Sequence, residues 1–137
     1  MKLSEISDYL ILVANDFKML HLNCVGTNFM IIHSWLEDLY KDSSDYYDTL
    51  AEMAIEHGEV IENPSLALNR VSDYIPFTEL EDISESLILD RMYETIECAL
   101  CQLSCIDDNY ESYVYSNIDE MTSNFKKNLY KLKQTIK

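Results

Sequence analysis

The chain has 137 residues, 47% of them hydrophobic, enough for one domain with a single core; two glycines and two prolines leave little sequence for the tight turns of a strand-rich fold. No apolar run approaches the ~18 residues that cross a bilayer, and Met1–Ile6 lacks the apolar centre of a signal peptide, so a cytoplasmic protein with no membrane contact is expected. Formal charge is −15, and five of the ten bases follow residue 125 where there is no acid, so the body of the chain should repel nucleic acid and attract cations.

The first helix is expected to begin at Ser4, whose hydroxyl can cap it, and to run to about Asn23. Tyr9, Leu10, Leu12, Val13, Phe17 and Leu20 recur at helical spacing along it. His21 falls in its last turn, before the reversal at Gly26, where a histidine can serve as a helix-end cation, a core residue or a ligand. A cytoplasmic compartment would keep Cys24, Cys98, Cys101 and Cys105 reduced.

The second helix should open near Thr27 or Asn28 and continue to His57, with Gly58 as a left-handed stop. Leu36, Leu39, Tyr40, Tyr47, Leu50, Met53 and Ala54 supply its inner face. Asp42, Ser43, Ser44 and Asp45 weaken helix propensity at its middle, yet the pattern on either side reads as one uninterrupted helix. His57 is placed to partner the helix dipole. Asn63-Pro64 signals a short helix to about Asp73, closed by Tyr74-Ile75-Pro76.

Thr78-Glu-Leu-Glu81 fits a capping box for a third long helix that continues through Ile83 to about Cys105. Cys98, Cys101 and Cys105 sit on it at i, i+3 and i+7. Beside Ala99, Leu100 and Leu103 they read as small core residues, with peroxide scavenging as the other reading. Asp107-Asp108-Asn109 can cap the last helix, which runs through Tyr113, Ile118, Met121, Phe125, Leu129 and Leu132. With Glu111 these acids either compensate the helix dipole or surround a cation entry. Lys126, Lys127, Lys131, Lys133 and Lys137 suit the negative helix terminus and could also form a weak nucleic-acid arm.

Two i,i+4 pairs stand out on the second helix: His33 with Glu37, and Asp48 with Glu52. At 3.6 residues per turn, Glu37, Asp48 and Glu52 lie roughly 40°, 60° and 100° round from His33, so the four share one stripe. The pairs cannot hold one metal ion within a chain. Glu37 and Asp48 are separated by about 16 Å of helix, and ligand bonds are only about 2 Å long. Positions 33 and 52, like 37 and 48, are both centred between Asp42 and Ser43. A second copy packed antiparallel about a two-fold axis at that point would bring His33 to the partner's Glu52 and Glu37 to the partner's Asp48, making two identical sites. The plainer reading is a solvated acidic face.

These residues resemble the DNA-protection-during-starvation (Dps) proteins, the mini-ferritins. The likeness rests on His21, Gly26, Phe29, His33, Glu37, Asp48 and Glu52, with Asn28 and Ala51 as lesser matches, and it is specific across residues 18–58. It implies an all-α, ferritin-like four-helix bundle with a short extra helix in the long connection between helices 2 and 3. It also implies a homo-oligomer built from two-fold dimers, a dodecameric shell in the family. Such a shell oxidises Fe(II), usually with hydrogen peroxide and otherwise with oxygen, and stores the ferric product. By position, His21, His33 and Glu37 would come from one subunit and Asp48 and Glu52 from its partner. Fe is the implied metal, two ions per site being possible, and an imidazole–carboxylate set would also accept Zn or Mn. The family's tryptophan after the first histidine is Leu22 here, and its arginine after the last glutamate is Met53. The residues three before the histidines are Lys18, Met30 and Ala54, so the Glu-x-x-His of an intrachain di-iron site is missing. The alternative is a ferritin-like shell, with Zn or no metal, that binds a partner or, through the terminal lysines, DNA.

Overall fold

A computed structural model describes residues 1–71, 73–77 and 80–136. Its elements are α1 (Leu3–Asn23), α2 (Phe29–Glu56), a 3-10 turn (Pro64–Leu66) leading into α3 (Ala67–Arg70), α4 (Glu85–Leu103) and α5 (Ser112–Ile136). The fold is all-α, with no strand among the described residues.

Apolar side chains at helical spacing make one core shared by the four long helices. Phe17 and Leu10 of α1, Leu36 and Leu50 of α2, Met92 and Ile96 of α4 and Phe125 of α5 are completely buried in it. α1 packs along α2 and against α4, and α4 packs against α5. Polar contacts tie α5 to α2: Trp35 Nε1 donates to Asn128 Oδ1 at 2.7 Å, and Asn124 Nδ2 donates to Asp42 Oδ2 at 3.1 Å. α2 is continuous, and its weak middle is carried by burial of Leu39, Tyr47 and Leu50.

The connection from α2 to α4 is fastened to α1. Arg70 makes a bidentate contact with Asp8, its Nη2 lying 2.7 Å from Oδ1 and its Nε 2.9 Å from Oδ2. The Tyr9 hydroxyl donates to Asp73 and the Tyr74 hydroxyl to Asp16. Asp16 is buried, which pushes its carboxyl above the usual range; the Tyr74 hydroxyl and the Phe77 N–H, 3.2 Å away, oppose that shift.

Several helix starts differ from the expectation. α1 begins at Leu3, because its first amides find partners other than the Ser4 hydroxyl: Glu5 accepts from Lys2 N–H, the Tyr110 hydroxyl from Leu3 N–H, and Glu59 from Ser4 N–H. α4 begins at Glu85 and not near Thr78, since the Ser84 hydroxyl accepts from Leu87 N–H at 3.1 Å. Ile83 therefore precedes that helix, and Thr78 of the expected capping box lies outside the described residues. α5 begins at Ser112, leaving Asp107, Asp108 and Asn109 in the connection. The Asn63 cap is present, its side chain accepting from Ser65 N–H at 3.0 Å.

Candidate metal centre

α1 ends and α2 begins around a reversal that needs Gly26. Its φ is +116°, and a Cβ there would stand 2.8 Å from Glu85 Cβ. Glu85 opens α4, and its carboxylate accepts from Asn28 N–H at 3.0 Å, so α4 supports the reversal from behind.

The reversal sets His21 against His33. Their rings stack with centroids 3.8 Å apart and planes 21° from parallel, and Phe29 stacks on the far side of His33 at 4.8 Å. Each imidazole bonds to the other's backbone: His21 Nδ1 lies 2.9 Å from the His33 carbonyl oxygen, and His33 Nδ1 lies 3.1 Å from that of His21. A carbonyl only accepts, so both Nδ1 atoms carry the proton. With Nδ1 protonated, Nε2 is the nitrogen left to ligate, the arrangement by which a second contact fixes the tautomer of a ligating histidine.

Glu37 is one turn further along α2. It accepts from Lys41 Nζ at 2.9 Å. That hydrogen bond and the lysine charge, helped by the two imidazoles, hold its carboxyl below the usual range. An exposed i,i+4 ion pair of this kind is weak, so a divalent cation can displace the ammonium. Tyr40 packs beside His21 with centroids 5.4 Å apart, and Lys18 Nζ lies 4.9 Å over the tyrosine ring.

His21 and His33 are thus together, with Glu37 one turn along α2 on Lys41, whereas Asp48 and Glu52 lie further along the same helix. Both are exposed, and neither takes part in a hydrogen bond or ion pair among the described residues. No group of three His, Cys, Asp or Glu side chains among the described residues forms a ready ligand set within the single chain.

The stripe carries apolar residues too. Met30 is 75% exposed and Ile55 60% exposed; they fall about 60° and 40° round from His33. Their positions are centred on the same point between Asp42 and Ser43 as the two ligand pairs. An antiparallel copy would set Met30 against the partner subunit's Ile55 at both ends of the contact.

No family model matches the chain, and neither does any curated protein. Trp35 lies off the stripe, its indole Nε1 donating to Asn128 Oδ1 of α5. Tyr40 and Lys41 were not legible as site residues; their places at i+7 and i+8 from His33 are the signal that marks them. His57 caps the α2 carbonyls, its Nδ1 2.8 Å from the Met53 oxygen, and its Nε2 lies 3.8 Å from Glu111. Cys101 and Cys105 are exposed rather than in the core. The buried face of α4 follows Ile88, Met92, Ile96, Ala99 and Leu103, and the cysteines project more than about 100° round from its centre.

Proposed function

We propose that the protein is a Dps-like mini-ferritin: its four long helices form a ferritin-like bundle, and two copies related by a two-fold axis across α2 assemble sites that bind and oxidise Fe(II). The observation that carries this reading is the locked pair of imidazoles beside Glu37, on the same stripe as the unpartnered Asp48 and Glu52. The donor set fits the substrate ion. Two neutral imidazole nitrogens and three carboxylates are borderline-to-hard ligands of the kind Fe(II) prefers, and Mn(II) or Zn(II) could compete.

In this reading Fe(II) is drawn in by the acidic body and is held between His21, His33 and Glu37 of one subunit and Asp48 and Glu52 of the partner subunit. Two ions at one site give one electron each to hydrogen peroxide: 2 Fe²⁺ + H₂O₂ + 2 H⁺ yields 2 Fe³⁺ + 2 H₂O. The protein positions the ions and supplies anionic oxygens that favour the ferric product. The Nδ1–carbonyl bonds keep both rings aimed, and Lys41 holds Glu37 charged until the metal arrives. The acidic surface favours storage of ferric mineral within a closed shell, twelve subunits in the family it resembles, and disfavours DNA.

Mixing the purified protein with Fe(II) and peroxide tests the proposal. A rise in ferric absorbance that is lost in His33→Ala/Asp48→Ala is expected. A wild-type trace no faster than Fe(II) and peroxide alone would remove the proposal.

A further inference from the structure

Cys98, Cys101 and Cys105 share a stripe about 60° wide on α4, away from its buried face. They are not equivalent. Cys98 is half-buried among Asp16, Tyr74 and Phe77 of α1 and the connection. Burial, with the neighbouring Cys101 adding, pushes its thiol up to about 11, so it stays protonated at neutral pH. Cys101 and Cys105 are exposed.

Cys105 lies just past the end of α4, in a turn that keeps the chain wound: its N–H donates to the Gln102 oxygen at 3.1 Å. Its thiol donates to the Cys101 carbonyl oxygen at 3.2 Å, so the sulfur is held over the turn that bears Cys101. Side chains at i and i+4 have their Cβ atoms about 5–6 Å apart. A disulfide needs about 3.5–4.5 Å, so the pair cannot oxidise to one unless this turn unwinds. A cation with metal–sulfur bonds of about 2.3 Å separates its two sulfurs by up to about 4.6 Å, a span that matches i,i+4 side chains on a wound turn. Thiolates select soft cations. Glu97 and Asp108 adjoin the pair, while the Asp107 carboxylate is paired with the Met1 ammonium at 2.6 Å, and that ammonium also donates to the Cys105 carbonyl oxygen at 2.6 Å, a positive charge that favours the Cys105 thiolate.

We propose that Cys101 and Cys105 form a two-thiolate site for a soft monovalent cation of the Cu(I) class, separate from the imidazole–carboxylate stripe on α2 and independent of the iron reading. Binding converts two thiols and Cu⁺ into a linear bis-thiolate complex of charge −1 and releases two protons, with no change of oxidation state. Affinity therefore rises with pH.

Anaerobic titration of the reduced full-length protein with Cu(I), against the coloured Cu(I) chelator bicinchoninate, tests the site. One equivalent per chain is expected to leave the chelator. Cys101→Ser and Cys105→Ser should each weaken binding by more than about 100-fold, the upper end of what loss of even an outer-shell partner costs. Cys98→Ser should bind as the wild type does, and circular dichroism should report unchanged helix content in all three. Failure of the wild type to compete, equal binding by the Cys101→Ser/Cys105→Ser double variant, or equal loss in Cys98→Ser would each overturn the proposal. So would a peroxide-treated monomer that links Cys101 to Cys105 while keeping its helix content.

Discussion

Met30→Gln tests the two-fold contact without touching a proposed ligand. Gln nearly preserves the length and helix propensity of Met, and position 30 is exposed in the first turn of α2, so the isolated chain should fold as before. Full burial of a Met side chain is worth about 1.5–3 kcal/mol, and with 75% of Met30 still exposed the contact could add about 1–2 kcal/mol. The two-fold axis repeats the loss, so about 2–4 kcal/mol of association disappears, which weakens the dimer about 30- to 1,000-fold. Sedimentation velocity over a concentration series reads this directly. Ile31→Gln is the control, since Ile31 is 70% exposed but lies about 100° further round the helix. Association unchanged in Met30→Gln, or lost equally in the control, would refute the antiparallel contact.

Gly26→Ala should destabilise the chain by about 1–3 kcal/mol, because it combines a left-handed φ of +116° with a Cβ 2.8 Å from a helical Glu85 Cβ. A lowered thermal midpoint measures it, and a midpoint at or above wild type would contradict the account of the reversal. Asp16→Asn probes the clamp between α1 and the connection. With the folded pKa of Asp16 raised, its contribution is complete below the unfolded pKa near 3.8 and is lost as pH rises through the folded value. Wild-type stability relative to Asp16→Asn, from urea unfolding, should therefore increase as pH is lowered from 7 towards 4; a constant difference would show that the carboxyl is not perturbed by burial.

The long helices could be read from the chain because apolar residues at i, i+3 and i+4 fix which face is buried, and one core is all that 137 residues must satisfy. α2 is intact through its weak Asp42–Asp45 middle since burial of Leu39, Tyr47 and Leu50 outweighs local propensity. The start of α4 was misplaced because two capping signals compete within seven residues, and only the Ser84 hydroxyl with its Leu87 amide decides between them. Cys98 is partly buried against the core as expected, whereas Cys101 and Cys105 are exposed because Ala99 and Leu103 are their neighbours in sequence but not on the helix surface. At the candidate site, the stripe of His33, Glu37, Asp48 and Glu52 follows from spacing alone. The exchange of Nδ1 bonds between His21 and His33 depends on the depth of the reversal at Gly26, and no periodicity encodes that. Lys41 stands at i,i+4 from Glu37, a spacing that permits their ion pair without marking a site.

The most direct test of a shared site is complementation between two inactive variants, His33→Ala/Glu37→Ala and Asp48→Ala/Glu52→Ala, unfolded together and refolded at equal ratio. Each variant alone lacks one half of every site. A mixed dimer regains one intact site of its two, and half of the dimers are mixed, so about a quarter of wild-type Fe(II) oxidation by peroxide is expected. A mixture as inactive as its parents, with mixed dimers present by mass, would contradict the claim that one subunit's imidazoles are completed by the other's carboxylates.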